Sequence, residues 1–282
     1  MKLIAVLLVS LILENMCGPS FDEMIKNLRT LESYISQYKK EKKSKQGVTE
    51  LVLTYIREGK YKSNYWKIVA GSAPKDLSSY IDKKDKEHGT NTAKIRKYGD
   101  ILMPSKEKSD FVHLFAVMNG IHHEKSYSRG ASALVGWGGD LCQLIQDIKD
   151  FKGNVDKLSI EAKKFFGIKG QFGEADLIAD LDAPIILNKK SETNTFADII
   201  ENYYNKGEYK NRVNDFVKLT FPVINKDSNQ NKFRGVVSGR FRGDSYLKML
   251  QMKYSIYNSG YDNHRLAAIN TFADYLYKNY KK

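Results

Sequence analysis

Cysteine is scarce in this chain: there are 2 in 282 residues, Cys17 and Cys142. Cys17 falls in a segment expected to be removed, so Cys142 has no partner within the chain and a disulfide framework is excluded. Cys142 lies in the run Asp140-Leu141-Cys142-Gln143-Leu144-Ile145, where packing suits it better than catalysis. Lipidation of Cys17 is also excluded, because Met16 and Glu14 stand where a lipoprotein signal needs a small and an apolar residue.

Other signatures are missing too. There is no CxxC or HExxH pattern, and in His122-His123-Glu124 the histidines are adjacent, so on a regular element they point apart. That triplet is read as loop surface. No GxSxG elbow occurs, and the glycines at 136–139 lack the Walker spacing and its Lys-Ser/Thr end. No metal and no cofactor is therefore expected. Repeats at solenoid periods and sustained heptads are absent, as is any Asn-x-Ser/Thr sequon. Beyond the N-terminus no apolar stretch reaches bilayer length, so stable membrane insertion is not expected.

What is present begins with residues 1–20. Lys2 is followed by Leu3 to Leu13, apolar but for Ser10, and then by a polar stretch ending in small residues. This is the layout of a cleaved secretory signal, with Gly18 and Ser20 suiting the small-residue positions before the cut. The address read from it is extracellular. About 260 residues remain, enough for one sizeable core. The chain carries 46 Lys+Arg against 33 Asp+Glu, a formal charge of +13. An exported basic protein is drawn to polyanions, and an anionic cell-wall or other acidic glycan is the expected partner. Nucleic acid is less favoured, because the cations are mostly scattered Lys rather than Arg placed for bidentate phosphate recognition. The one dense cluster, 39–45, reads as a solvated helix end.

The period is helical almost throughout. Phe21, Met24, Ile25, Leu28, Leu31, Ile35 and Tyr38 form one stripe, and Val48, Leu51, Val52, Tyr55 and Ile56 a second, ending at Gly59. Pro74 opens a short helix through Ile81. Residues 82–108 are polar and weakly periodic and read as a linker or excursion. Ser109 is expected to cap a strongly apolar helix that stops at Asn119-Gly120. Further helical patterns fall at 157–167, 174–181, 195–205 and 208–219, the last broken by Pro222, with an extended piece at Phe233 to Val237. Two helices, 244–258 and 263–280, close the chain; Asp244 of Arg242-Gly243-Asp244 reads as the cap of the first rather than part of an adhesion tripeptide. The expected fold is mainly α: a single compact multi-helix globular domain with long polar loops and room for a small N-terminal helical layer. Residues 21–105 form the N-terminal helical region and 106–282 the main domain.

Candidate chemistry concentrates in three places. Asp110 and His113, three apart, interrupt the apolar run Phe111, Val112, Leu114, Phe115, Ala116, Val117. Charged groups in so apolar a helix are costly unless satisfied, and an Asp can tune an imidazole for proton transfer. Asp140 follows Trp137, Gly138 and Gly139, where glycines permit close backbone approach and the indole offers a flat face for a sugar. Glu174, Asp176, Asp180 and Asp182 supply carboxylates, the pairs that glycoside cleavage employs. The clustered C-terminal tyrosines read mainly as half-buried packing.

The function these features point to first is a secreted basic hydrolase of a polysaccharide or anionic cell-wall glycan. Asp140 or Asp180 would be its general acid, with Asp110 and His113 positioning water or substrate, and Trp137, Gly138, Gly139 and Asp182 binding substrate. The alternatives are a secreted non-enzymatic binding or effector protein and a secreted metal-dependent nuclease using His113. The segment 109–142 is expected to floor the principal pocket.

Overall fold

The computed structural model of the protein describes residues 19–62, 67, 70–127, 174–242, 270 and 272–280. The expected signal up to Gly18, the segment holding Trp137, Gly138, Gly139, Asp140 and Cys142, and Asp244 lie outside the described residues. So do the helices expected at 157–167 and 244–258.

The fold is mainly helical, as the periodicity requires. Helix α1, Phe21–Lys42, starts where Ser20 Oγ accepts from the Glu23 amide at 3.2 Å, with Asp22 and Glu23 in the first turn. Lys39, Lys40 and Lys42 occupy its last turn, so charge of both signs complements the helix dipole. Every residue of its expected apolar stripe is buried. Helix α2, Val48–Arg57, runs to the turn at Gly59. A Cβ at Gly59 would fall 2.0 Å from the Arg96 carbonyl oxygen, so only glycine lets the chain pass there. That passage sets down Lys60 and Tyr61.

Residues 82–108 are folded rather than an excursion. Helix α3 spans Leu77–His88, a turn and more beyond the expected end at Ile81, and closes on Gly89 at φ 63°. Asp85 then gathers the next turn: its carboxylate accepts from the Thr90 and Thr92 hydroxyls and from the Thr92 and Ala93 amides. A 3-10 turn, Thr92–Lys97, leads into a hairpin of β1, Asp100–Leu102, and β2, Lys108–Asp110. The antiparallel register pairs Ile101 with Ser109. Ile81, Ile95, Ile101 and Met103 are all buried. They come singly or, at Ile101 to Met103, in one short run within polar sequence, too few for a helical period to show.

Helix α4, Phe111–Tyr127, is the central element. Asp110, not Ser109, caps it: its Oδ1 accepts from the His113 amide at 2.9 Å, while Ser109 is used in β2. The helix also runs past Asn119-Gly120, carrying His122 and His123 on helix instead of loop. Asn119 is fully buried and its amide reaches Thr54 Oγ1 at 3.4 Å. Burial on all sides has overridden a local stop signal.

Helix α5, Glu174–Asn188, extends past its expected end at 181 and contains Pro184, which offers no N–H to the carbonyl of Asp180 one turn earlier. Helix α6, Phe196–Asn205, is capped by Thr195, and the carboxylate of Glu32 on α1 also accepts from the Phe196 and Ala197 amides at 2.7 and 3.0 Å. A 3-10 turn, Glu208–Asn211, precedes α7, Arg212–Thr220. Helix α8, Gln230–Arg242, replaces the extended piece expected at Phe233 to Val237; Asn229 Oδ1 accepts from the Lys232 amide at its start. Residues 272–280 are helical. One hydrophobic core joins α1, α2 and the hairpin to α4, α5, α6 and α7, so the described part of 21–105 shares its core with the described part of 106–282. Among the described residues no helix is long and apolar enough to cross a membrane.

Candidate functional site

The polar exceptions of α4 and α5 meet. His113 Nε2 lies 2.9 Å from Asp180 Oδ1, and His113 Nδ1 lies 3.0 Å from the Tyr61 hydroxyl. With Asp180 ionised, its carboxylate can only accept; Nε2 then carries the proton and Nδ1 accepts from the phenol. The result is a directed chain, carboxylate to imidazole to phenol. Three distant segments build it: His113 and Asp180 are 67 positions apart in sequence, and Tyr61 and His113 are 52 apart.

Burial is graded along this chain. Asp180 is 1% exposed and His113 3%, whereas Tyr61 is half-buried. Lys60, beside it, has half its side chain in solvent and donates from Nζ to Asp110 Oδ2 at 2.6 Å. Asp110 thus caps α4 with one oxygen and holds Lys60 with the other. Burial disfavours the Lys60 ammonium, but Tyr61, Asp110 and Asp176 more than offset that and raise its pKa. For Tyr61, burial pushes the phenol pKa up, while His113 and Lys60 pull it back. The raised pKa keeps the phenol protonated at neutral pH, with His113 Nδ1 in hydrogen-bond reach.

Asp182 belongs to a different place. Two residues on from Asp180, it faces another side of α5 and is fully buried. Its oxygens accept from the hydroxyls of Tyr203 and Tyr204 at 2.5 and 2.6 Å and from Arg212 Nε and Nη2 at 2.9 and 3.1 Å. Arg212 continues to Glu107 at 2.8 Å, tying the hairpin to α5 and α7. Burial raises the Asp182 pKa and Arg212 with the two tyrosines opposes the rise. This is a saturated cross-link.

Of the sequence-derived candidates, then, the structure brings Asp110, His113 and Asp180 together and sets Asp182 apart. Trp137, Gly138, Gly139 and Asp140 lie outside the described residues. Lys60 and Tyr61 escaped the sequence reading, as did Arg212, Tyr203 and Tyr204. The one local clue to the first pair was Gly59, whose role appears only when Arg96 is beside it. Among the described residues no group of three or more His, Cys, Asp or Glu could hold a metal ion.

Fold and site together define a mainly helical protein with an Asp-His-Tyr relay at the meeting of its central helices. Residues 115–282 match the family described as YkzU uncharacterised protein, and the chain belongs to that family. The matched part contains Asp180 and excludes Lys60, Tyr61, Asp110 and His113, so the relay straddles its border. The Bacillus subtilis (strain 168) protein called Uncharacterized protein YkzU is 32% identical over 109 residues, 38% of this chain. The chain spans 63% of that relative's length. No solved structure matches.

Proposed function

We propose that this protein is a hydrolase whose acid–base centre is the relay Asp180, His113 and Tyr61, acting outside the cell on an anionic glycan. The observation that carries the reading is His113 held between Asp180 at 2.9 Å and the Tyr61 hydroxyl at 3.0 Å, with burial decreasing toward Tyr61. Asp180 fixes the tautomer and stabilises an imidazolium, His113 accepts the proton, and Tyr61 is the group offered to substrate. A phenol approaches an anionic sugar without the like-charge repulsion that a carboxylate meets. Asp140 completes the reading as general acid and Trp137 as a sugar platform. The formal charge of +13 favours capture of the polyanion.

Export rests on residues 1–20. A cut directly after Ser20 would strip α1 of the Oγ that accepts from Glu23, worth about 1 kcal/mol. Mass spectrometry of the secreted protein reads the cut directly: a mature N-terminus near Phe21 is expected, and an unprocessed N-terminus contradicts export through this signal.

The test of the activity is release of reducing ends from anionic cell-wall material by the purified protein. Wild type should release them, and His113→Asn and Tyr61→Phe should each lower the rate at least 100-fold, of the order that a positioned acid or base contributes. Undiminished release by both variants overturns the reading. The near-complete burial of His113 and Asp180 favours a second reading, in which the relay only pins α4 to α5 and the protein binds its polymer without cleaving it. In that case wild type releases nothing, and polymer binding survives Tyr61→Phe.

A further inference from the structure

A second buried polar seam lies between α2 and α4, away from the relay. Arg57, the last residue of α2, is fully buried. Its Nη2 donates to the Gly71 carbonyl oxygen at 2.7 Å and stands 3.4 Å from Glu58 Oε1, which also accepts from the Ala73 amide. Nε and Nη1 of the same guanidinium are buried with no hydrogen-bond partner among the described residues. A buried cation with unmade hydrogen bonds is expensive, because the charge and each N–H have lost water and gained nothing in return. Consistent with this, burial pulls the Arg57 pKa down to about 10, and Glu58 restores only part.

The surroundings add the other half of a site. Gly71, at φ 69°, is where a Cβ would come 3.6 Å from the His123 ring and 3.9 Å from Glu50 Oε1. Thr54 precedes Arg57 by one turn on α2, and Asn119 precedes His123 by one turn on α4. Asn119 gives its amide N–H to Thr54, while its Oδ1 is another buried atom with no partner among the described residues. A stripe of Glu50, Thr54 and Arg57 thus faces Asn119 and His123 across an otherwise apolar interface. Unmet donors sit on one helix and an unmet acceptor on the other.

We infer that this seam is a binding site for a small oxyanion bearing a hydroxyl, with dihydrogen phosphate as the fitting chemistry and Arg57 as its anchor. Oxyanion oxygens accept from Nε and Nη1, and the phosphate hydroxyl donates to Asn119 Oδ1. Glu50 and Glu58 at the rim oppose multiple negative charge, which suits a singly charged anion. Sulfate, which carries no hydroxyl at neutral pH, satisfies the arginine alone.

The test is thermal unfolding of the full chain in inorganic phosphate against sodium chloride of equal ionic strength. Phosphate at ten times its dissociation constant should raise Tm by about 3–5 °C, and sulfate by less. Arg57→Met should abolish the difference, while Lys45→Met, at an exposed position in the bend after α1, should keep it. No excess over chloride, or an excess that survives Arg57→Met, overturns the inference. Should Arg57→Met fail to fold, a wild-type crystal grown in phosphate decides: density for phosphate on Nε and Nη1 supports the site, and water alone there overturns it. The relay shares no residue with this seam, so either result leaves the hydrolase reading standing or falling on its own assay.

Discussion

Asp180 and Asp182 are neighbours on α5, both essentially without solvent contact, and the molecule treats them in opposite ways. Asp182 meets a guanidinium through two N–H groups and two phenols besides, a set of donors that fills its acceptor capacity and cannot titrate near neutrality. Asp180 meets an imidazole, and the imidazole leads on toward a half-buried phenol and an exposed lysine. A permanent counter-ion makes a strut. An imidazole in its place is what the proposed proton path requires. The type of partner, more than burial or residue identity, separates the two.

That contrast is sharpest when one partner is removed. Asp182→Ala leaves the buried Arg212 guanidinium with Glu107 but without its fully buried counter-ion, strips the Tyr203 and Tyr204 hydroxyls of their acceptor, and should cost about 3–5 kcal/mol, enough to unfold much of the population, as urea denaturation followed by circular dichroism will show. His113→Asn should cost less stability but remove catalysis. If the two variants instead lose stability alike and keep activity per folded molecule, both carboxylates are struts. Val112→Ala, beside His113 but wholly apolar, should cost about 1–3 kcal/mol through a cavity and leave turnover per folded molecule unchanged.

Glu32 extends the comparison to a third buried carboxylate, which has backbone amides for partners. Burial lifts its pKa from 4.5 to about 7, with the Ala197 and Phe196 amides and Lys190 opposing. A folded-state pKa above the unfolded value means that the folded protein binds the extra proton. The associated stability is present below about pH 4.5 and is lost as pH rises toward 7. Denaturation midpoints for wild type and Glu32→Gln should therefore diverge in slope across that window, the variant lacking this part of the decline; parallel slopes contradict it. The smallest effect belongs to the surface. Arg29 pairs with Asp198 and Glu201 at 2.9 Å with about half its side chain in solvent, and Arg29→Ala should shift stability by no more than about 1 kcal/mol.

The sequence disclosed most of what depends on period and little of what depends on meeting. The stripe of α1 is buried residue for residue, and Thr195 caps α6 where the pattern begins. Asp110 and His113 stood out because polar groups are costly in an apolar helix, and both are indeed satisfied. The stop at Asn119-Gly120 misled because a helix enclosed on all sides draws its stability from packing, not from local propensity. Residues 82–108 misled because a single anchor such as Ile95 and a run as short as Ile101 to Met103 carry no helical periodicity. In α8, Val236 and Val237 favour extended chain, yet Phe233 and Val237, one turn apart, are both buried on a helical face. Tyr61 could not be found at all, since its role depends on a glycine turn against Arg96 and on a histidine 52 residues away.

The direction of the proposed proton chain is set by the tautomer of His113, which can be read without any substrate. Long-range proton–nitrogen correlation NMR on protein labelled with nitrogen-15 in histidine resolves which ring nitrogen is protonated. A base poised behind Tyr61 requires the neutral Nε2–H form, with Nδ1 unprotonated and shifting on Tyr61→Phe. Finding the proton on Nδ1 instead would make Tyr61 an acceptor, reverse the chain and contradict the assignment of His113 as its base.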